Sequence, residues 1–218
     1  MTQLIYIADP MCSWCYGFGP ELNQVLQARP QAELEIICGG LRAYETTPLA
    51  ADMKETIRTH WQHVEEASGL PFAAGGMDKP GWVYNTEPAC RAYVTAGLLA
   101  DHLTARELLP VFHAIQHAFY AEAQDVTDLQ TLADISVAAL NQIEGADDFD
   151  ALSFLETLQS PMAIDTTRQH FQQCQQWGVR GFPALLMVHQ NALHMIASGY
   201  SRAAEMLDRI AELEQQGA

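Results

Sequence analysis

The sequence predicts an α/β fold in which one small sheet, built from both ends of the chain, surrounds a block of helices. Three observations predict it. Strand-like apolar runs occur near the two ends only, at 3–8, 33–40, 184–188 and 192–197. The first two flank a helical stretch from about Cys12 to Ala28, a βαβ unit that demands parallel pairing and a right-handed crossover. The long segment between the two pairs of runs carries helical spacing and no strand signal.

"QLIYIA" (3–8) is short, apolar and β-branched, as a strand covered on both faces is. "ELEIICGG" (33–40) is the second strand and ends in Gly39-Gly40. Thr47-Pro48 should open a helix carrying Leu49, Met53, Ile57, Trp61 and Val64, closed near Gly69. "PFAAGGMDKPGW" (71–82) reads as a loop by its glycines and prolines. Thr86 is placed to cap a helix through Cys90, Tyr93, Val94 and Leu98. "TARE" (104–107) has capping-box spacing, but Pro110 predicts a kink or a later start for the helix through Val111, Phe112, Ile115 and Phe119. "TDLQ" (127–130) is a second capping box, ahead of Leu132, Ile135 and Leu140. Phe149, Leu152 and Leu155 mark a short helix, and another through Phe171, Cys174 and Trp177 stops at Gly178. "ALLMV" and "ALHMIA" are strands joined by a turn at "HQN", and Ser201 should cap a last amphipathic helix with Met206, Leu207, Ile210 and Leu213.

The 218 residues suffice for a full core, and 49% apolar with 17% charged residues is a globular composition. Eleven basic against 27 acidic residues leave a net charge of −16, which repels phosphate backbones and anionic lipid. Nucleic acid and membranes are therefore not expected as partners; the acidity reads as solubility. The start, "MTQLIYIADP", lacks a basic n-region and a small-residue cleavage site, so a cytoplasmic location is expected. Five cysteines do not make a secreted disulfide framework.

The chemistry centres on "DPMCSWCYGFGP", where Cys12 and Cys15 are separated by two residues. A structural zinc site needs further ligands, and Cys38, Cys90 and Cys174 have no Cys or His at close-pair spacing. "HAIQH" puts His113 and His117 on one helical face but has Ala114 where the zinc-protease motif has glutamate, and His60 and His63 carry still less. No metal ligand is assigned. A redox pair fits better, because it follows a strand and opens a helix. The aligned amides there favour an anion and should lower the pKa of the first thiol. Cys12 is the expected nucleophile and Cys15, one turn on, the resolving thiol. In "GVRGFPALLMV", Pro183 opens a strand, a position that tolerates proline and where either peptide isomer can occur.

The chain resembles the DsbA-like family of thioredoxin-fold thiol–disulfide oxidoreductases. "CSWC" (12–15), Pro20 and "GVRGFP" (178–183) carry the likeness, with "FYAEAQDVTDLQTLADI" (119–135). "GGLR" (39–42) and "NTEPACRA" (85–92) resemble cytoplasmic relatives labelled protein-disulfide isomerases or FrnE-like proteins. The resemblance implies a thioredoxin fold with a large all-helical insertion between its βαβ and ββα halves. Residues 1–45 and 163–218 would form the thioredoxin-like domain and 46–162 the insertion. It implies a cis Pro183 facing Cys12, and a substrate site at Phe182, Pro183, Ser13 and Trp14. No bound cofactor is implied; exchange with a thiol such as glutathione or thioredoxin is, and the partners would be proteins or small molecules bearing thiols or disulfides.

Three departures bear on chemistry. Ser13-Trp14 replaces the Pro-His of strongly oxidising periplasmic relatives, so a milder potential is expected. Phe182 is larger than the usual residue before this proline, which should narrow the substrate groove. Tyr6 stands where several relatives keep a buried acid, while Asp9, nearer the motif, reads as a loop or capping residue, with help in proton transfer as the alternative. A glutathione-dependent isomerase or transferase of the hydroxychromene-carboxylate isomerase or kappa class is the alternative, since "NTEPACRA" resembles a segment of those enzymes. They keep a single nucleophile, so two cysteines favour redox exchange. Cys38 and Cys174 are expected in the core, and Cys90 either there or redox-active. Trp61 and Trp82 are expected in the core, with a substrate groove or a dimer face as the alternative.

Overall fold

The computed structural model describes residues 2–73 and 75–216. The loop expected over 71–82 is seen at all of its residues but Ala74, which, with Met1, Gly217 and Ala218, lies outside the described residues. In chain order the elements are β1 (Gln3–Ala8), α1 (Ser13–Ala28), β2 (Glu33–Cys38), α2 (Ala51–Ser68), α3 (Glu87–Leu99) and α4 (Ala105–Tyr120). There follow α5 (Leu129–Leu140), α6 (Ala151–Leu158), α7 (Pro161–Gln176), β3 (Ala184–His189), β4 (Ala192–Ser198) and α8 (Ala203–Gln216).

The sheet runs β2-β1-β3-β4, with β1 parallel to β2 and both β1–β3 and β3–β4 antiparallel. This is a thioredoxin fold, with a helical insertion between its βαβ and ββα halves. Both faces of β1 are covered, which explains its unbroken apolar run. Leu4, Tyr6 and Ala8 point into the main core with Phe18 and Leu22 of α1. Ile5 and Ile7 point the other way, into a smaller core with Ile37, Cys174, Ala184 and Leu186. Trp61 and Trp82 are buried among Phe72, Phe119, Tyr120 and Tyr84, as expected of core aromatics. The β3–β4 turn places Gln190 and Asn191 at positive φ, 49° and 63°, the twist that tight hairpins favour.

Four local expectations are corrected. Thr47-Pro48 does not open α2, which starts at Ala51; Pro48 instead bridges to Val83. Thr86 makes no cap bond: its Oγ1 accepts from the Arg42 amide, a tertiary partner that outbids the local one. The later start expected from Pro110 is not taken: α4 begins at Ala105 under a complete Thr104–Glu107 capping box, with Pro110 inside it. Asp128, not Thr127, caps α5, its carboxylate accepting from the Thr131 amide. At α8 the buried Glu21 carboxylate accepts from the Ala203 amide at 2.7 Å.

Candidate active site

The chain turns from β1 into α1 over Asp9-Pro10-Met11. The Asp9 side chain makes that turn specific. Its Oδ1 accepts from the Met11 amide at 2.8 Å, and its carbonyl accepts from the Cys12 amide at 3.0 Å. Cys12 is then the N-cap of α1 with an extended backbone, φ −93° and ψ 117°. Its carbonyl takes the amides of Cys15 and Tyr16 at 2.9 and 3.1 Å. The spacing of two residues therefore puts one sulfur at the head of the helix and the other inside its first turn.

Cys12 keeps 7% of its surface exposed and Cys15 none, and both thiols are free. Burial first, then the neighbouring Cys12 thiol and its charge, push the Cys15 thiol well above its ordinary value. The Tyr6 hydroxyl, buried where relatives were expected to hold an acid, donates to the Cys15 carbonyl at 3.3 Å. Tyr84, also buried, donates its hydroxyl to the Met11 carbonyl.

The second half of the fold arrives opposite. The Phe182–Pro183 peptide is cis, and the Phe182 carbonyl lies 3.6 Å from Cys12 Sγ. Pro183 is buried and Phe182 half-buried. Gly39 and Gly40 make room for this arrangement. A Cβ on Gly39 would fall 2.8 Å from Phe182 Cδ1, and closer to the far edge of that ring. Gly40 sits at φ +66°, with the Phe171 ring 2.8 Å from where its Cβ would be. The Phe182 ring thus fills the space over β2's end. Exposed Leu41 and Tyr44 lie just beyond, Tyr44 edge-on to Phe171. Ser13 and Trp14 are half-buried on the other flank, where the Trp14 ring packs on Tyr200 at 5.5 Å.

The structure therefore brings Cys12, Cys15, Phe182 and Pro183 together, with Ser13 and Trp14 adjoining. Two features carry more of the site than the sequence alone suggests. Asp9 is fully buried, and its carboxylate also accepts from the Leu41 amide at 2.6 Å, the Cys90 thiol at 3.5 Å and the Thr86 hydroxyl. Burial pushes its pKa up and these donors oppose the rise. In the sequence, Gly39-Gly40 marks only a strand end and part of "GGLR"; two adjacent glycines are the signal for the close approach. His113 and His117 lie away from this site, along a groove of about 1000 Å³ between α4 and α5. Burial pushes His113 down to about 4, and His117 lies 3.5 Å from Glu122. Among the described residues, no group of three or more His, Cys, Asp and Glu side chains is arranged to hold a metal ion. None of the described helices is long and apolar enough to cross a membrane.

The family model described as "DSBA-like thioredoxin domain" matches residues 3–211. No curated protein matches the chain. Among solved structures, one titled a putative protein disulfide isomerase, from Nitrosomonas europaea, is 32% identical. It has a TM-score of 0.86, with 100% of this chain and 99% of that one covered. The cytosolic disulfide reductase DsbM from Pseudomonas aeruginosa, solved with GSH, is 25% identical with a TM-score of 0.71, covering 98% of each chain. A 2-hydroxychromene-2-carboxylate isomerase shares the fold at 13% identity, TM-score 0.67, over 99% of this chain and 97% of its own.

Proposed function

The chain belongs to the DsbA-like thioredoxin domain family, and on that premise we propose that it is a thiol–disulfide oxidoreductase in which Cys12 attacks and Cys15 resolves. The observation that carries this reading is the setting of Cys12. Its sulfur heads α1, retains some exposure, and faces the Phe182 carbonyl at 3.6 Å, with a buried, protonated partner thiol in the same turn.

The steps follow from that setting. The Cys12 thiolate attacks one sulfur of a substrate disulfide; the substrate S–S bond breaks, a Cys12 mixed disulfide forms, and a substrate thiolate departs. Cys15 then loses its proton and attacks Cys12 Sγ. The mixed disulfide breaks, the second substrate thiol leaves reduced, and Cys12–Cys15 closes as a disulfide. Two equivalents of a small thiol return it to the dithiol. Cys12 stands at the head of α1, open to a substrate, whereas burial holds Cys15 protonated until the mixed disulfide has formed. The Phe182 carbonyl and the adjoining backbone offer an extended substrate segment main-chain contacts, and Leu41, Tyr44, Ser13 and Trp14 flank that segment. A reductase or isomerase role in a reducing cytoplasm, with glutathione or thioredoxin as electron donor, agrees with the relative solved with GSH.

Reduction of a protein disulfide by the purified chain, with glutathione as reductant, tests this. Cys12→Ser should abolish turnover, and Cys15→Ser should accumulate a mixed disulfide at Cys12 visible by intact mass. Turnover in Cys12→Ser equal to the parent's would overturn the reading. Isomerase activity surviving in Cys15→Ser, without redox turnover in the parent, would select the glutathione-dependent isomerase instead.

A further inference from the structure

Three cysteines take no part in this chemistry, and the fold gathers them. Cys38 ends β2, Cys90 lies in the first turns of α3, and Cys174 lies near the end of α7. All three are buried and free. Cys38 Sγ lies 3.6 Å from the Cys90 carbonyl, and Cys174 Sγ lies 3.5 Å from the Cys38 carbonyl. The Cys90 thiol donates to Asp9 Oδ2 at 3.5 Å. His170 Nδ1 accepts from the Cys38 amide at 3.2 Å.

From this juxtaposition we propose that Cys38 and Cys90 are a second, buried redox-active dithiol, which a small peroxide oxidises to an internal disulfide. With the Cys38 sulfur already 3.6 Å from the backbone carbonyl of Cys90, a local shift of the two side chains brings the sulfurs to the ~2.05 Å of an S–S bond. The roles divide by environment. Burial pushes Cys38 up, but the neighbouring Cys90 and His170 outweigh it and bring the thiol down to about 7. Cys90 is pushed well above its ordinary value by burial and by Cys38, and Cys174 up to about 12 by burial and Cys38. Tyr93 and Asp9 are the other titratable groups facing Cys38.

Cys38 is thus the attacking thiolate. It attacks one peroxide oxygen; the S–O bond forms, the O–O bond breaks, and the departing hydroxide takes a proton and leaves as water. Cys38 is oxidised to a sulfenic acid and the peroxide is reduced. The Cys90 sulfur then attacks Cys38; the S–S bond forms, the S–O bond breaks, and hydroxide leaves with the proton of Cys90 as a second water. Asp9 Oδ2, which already accepts the Cys90 S–H, is the first acceptor on that proton's way out. The product ties β2 to α3 and removes one of the donors that hold Asp9 beside Cys12.

The test uses the full chain carrying Cys12→Ser and Cys15→Ser, so its outcome is independent of the role proposed for that pair. Folded protein is exposed to hydrogen peroxide, its remaining thiols are alkylated in denaturant, and its peptides are mapped by mass. The expected result is a loss of two hydrogens per chain, a linked peptide joining Cys38 to Cys90, Cys174 recovered alkylated, and reversal by dithiothreitol. The linkage should form about tenfold or more faster in the folded chain than in urea, because the fold supplies the proximity. Adding Cys90→Ser should leave Cys38 as a sulfenic acid that a 1,3-diketone traps. Recovery of Cys38 and Cys90 as free thiols from the folded protein, or a Cys38–Cys174 linkage in place of the expected one, would overturn the proposal.

Discussion

Gly39→Ala tests whether the close approach of Phe182 to β2 builds the site. The added methyl would lie 2.8 Å from Phe182 Cδ1, with the far edge of the ring nearer still. Carbon atoms rest at about 3.5–4.0 Å, so one partner must retreat by roughly 1 Å or more. Gly39 cannot, because its amide is bonded to the Ala8 carbonyl at 2.7 Å in continuation of the β1–β2 ladder. The Phe182 ring must therefore swing out of a place where it touches both cores. Overpacking of this kind costs about 1–3 kcal/mol, and the lost freedom of glycine in the unfolded chain returns about 0.4–1 kcal/mol. The net expectation is a loss of about 1–2 kcal/mol, read by urea unfolding of the reduced protein. Phe182→Ala removes the obstacle, so the double variant should be more stable than the two single losses predict, by about 1–2 kcal/mol. The Phe182 carbonyl moves with its ring, so Cys12 alkylation should also change rate in Gly39→Ala. Stability within about 0.5 kcal/mol of the parent, or strict additivity in the double variant, would refute the packing argument.

Other predictions follow from contacts away from the sulfurs. Glu21 accepts from the Ala203 amide, Arg202 and Tyr200; burial raises its pKa, but these donors outweigh it and hold it below the ordinary glutamate range. Its contribution is therefore present above that range and lost as pH falls through the depressed value. Glu21→Gln should cost about 1–2 kcal/mol at neutral pH, with the gap to the parent closing in acid, as thermal unfolding across pH will show. Arg91 is buried, paired with Glu87 at 2.7 Å, and donates to the Leu158 carbonyl, joining α3 to α6. Arg91→Ala should cost about 3–5 kcal/mol in urea unfolding, partly recovered by adding Glu87→Gln, because the unpaired buried carboxylate is much of the loss. Thr104→Ala removes the α4 capping box and should cost about 1 kcal/mol by the same measurement.

The sheet and the helical block were legible in the sequence because strands covered on both faces, such as β1, must be apolar throughout, and amphipathic helices must repeat at their own period. The misreadings share a cause. The cap signals at Thr86 and Thr127 rest on neighbours a few residues away. In the fold, the Thr86 hydroxyl serves Arg42 and Asp9, and the Thr127 hydroxyl turns to Asp125 at 2.6 Å. Cys12 and Cys15 were legible because their relation is local, one turn of one helix. The carbonyl facing Cys12 belongs to a residue 170 positions away, and motif likeness pointed to it where periodicity could not. The space that Gly39 leaves for Phe182 is likewise a property of two segments that meet only in the folded chain.

Asp9 explains why the loop bearing the nucleophile depends on distant parts of the chain. A carboxylate with no exposed surface must be fully hydrogen-bonded or neutral, since burying it alone would cost several kcal/mol. Its donors come from three segments: Met11 beside Cys12, Leu41 in the loop after β2, and Thr86 with Cys90 at the start of α3. No cation is among them, so the charged form rests on dipoles alone, and losing any donor moves Asp9 towards protonation. A change at α3 is thereby felt in the turn that orients Cys12, through one side chain. On this account, replacing Cys90 by alanine should alter the pH dependence of Cys12 alkylation although Cys90 does not touch that sulfur, while serine, which keeps a donor, should preserve it. An unchanged profile in the alanine variant would mean that Asp9 only shapes the turn and transmits nothing from the insertion.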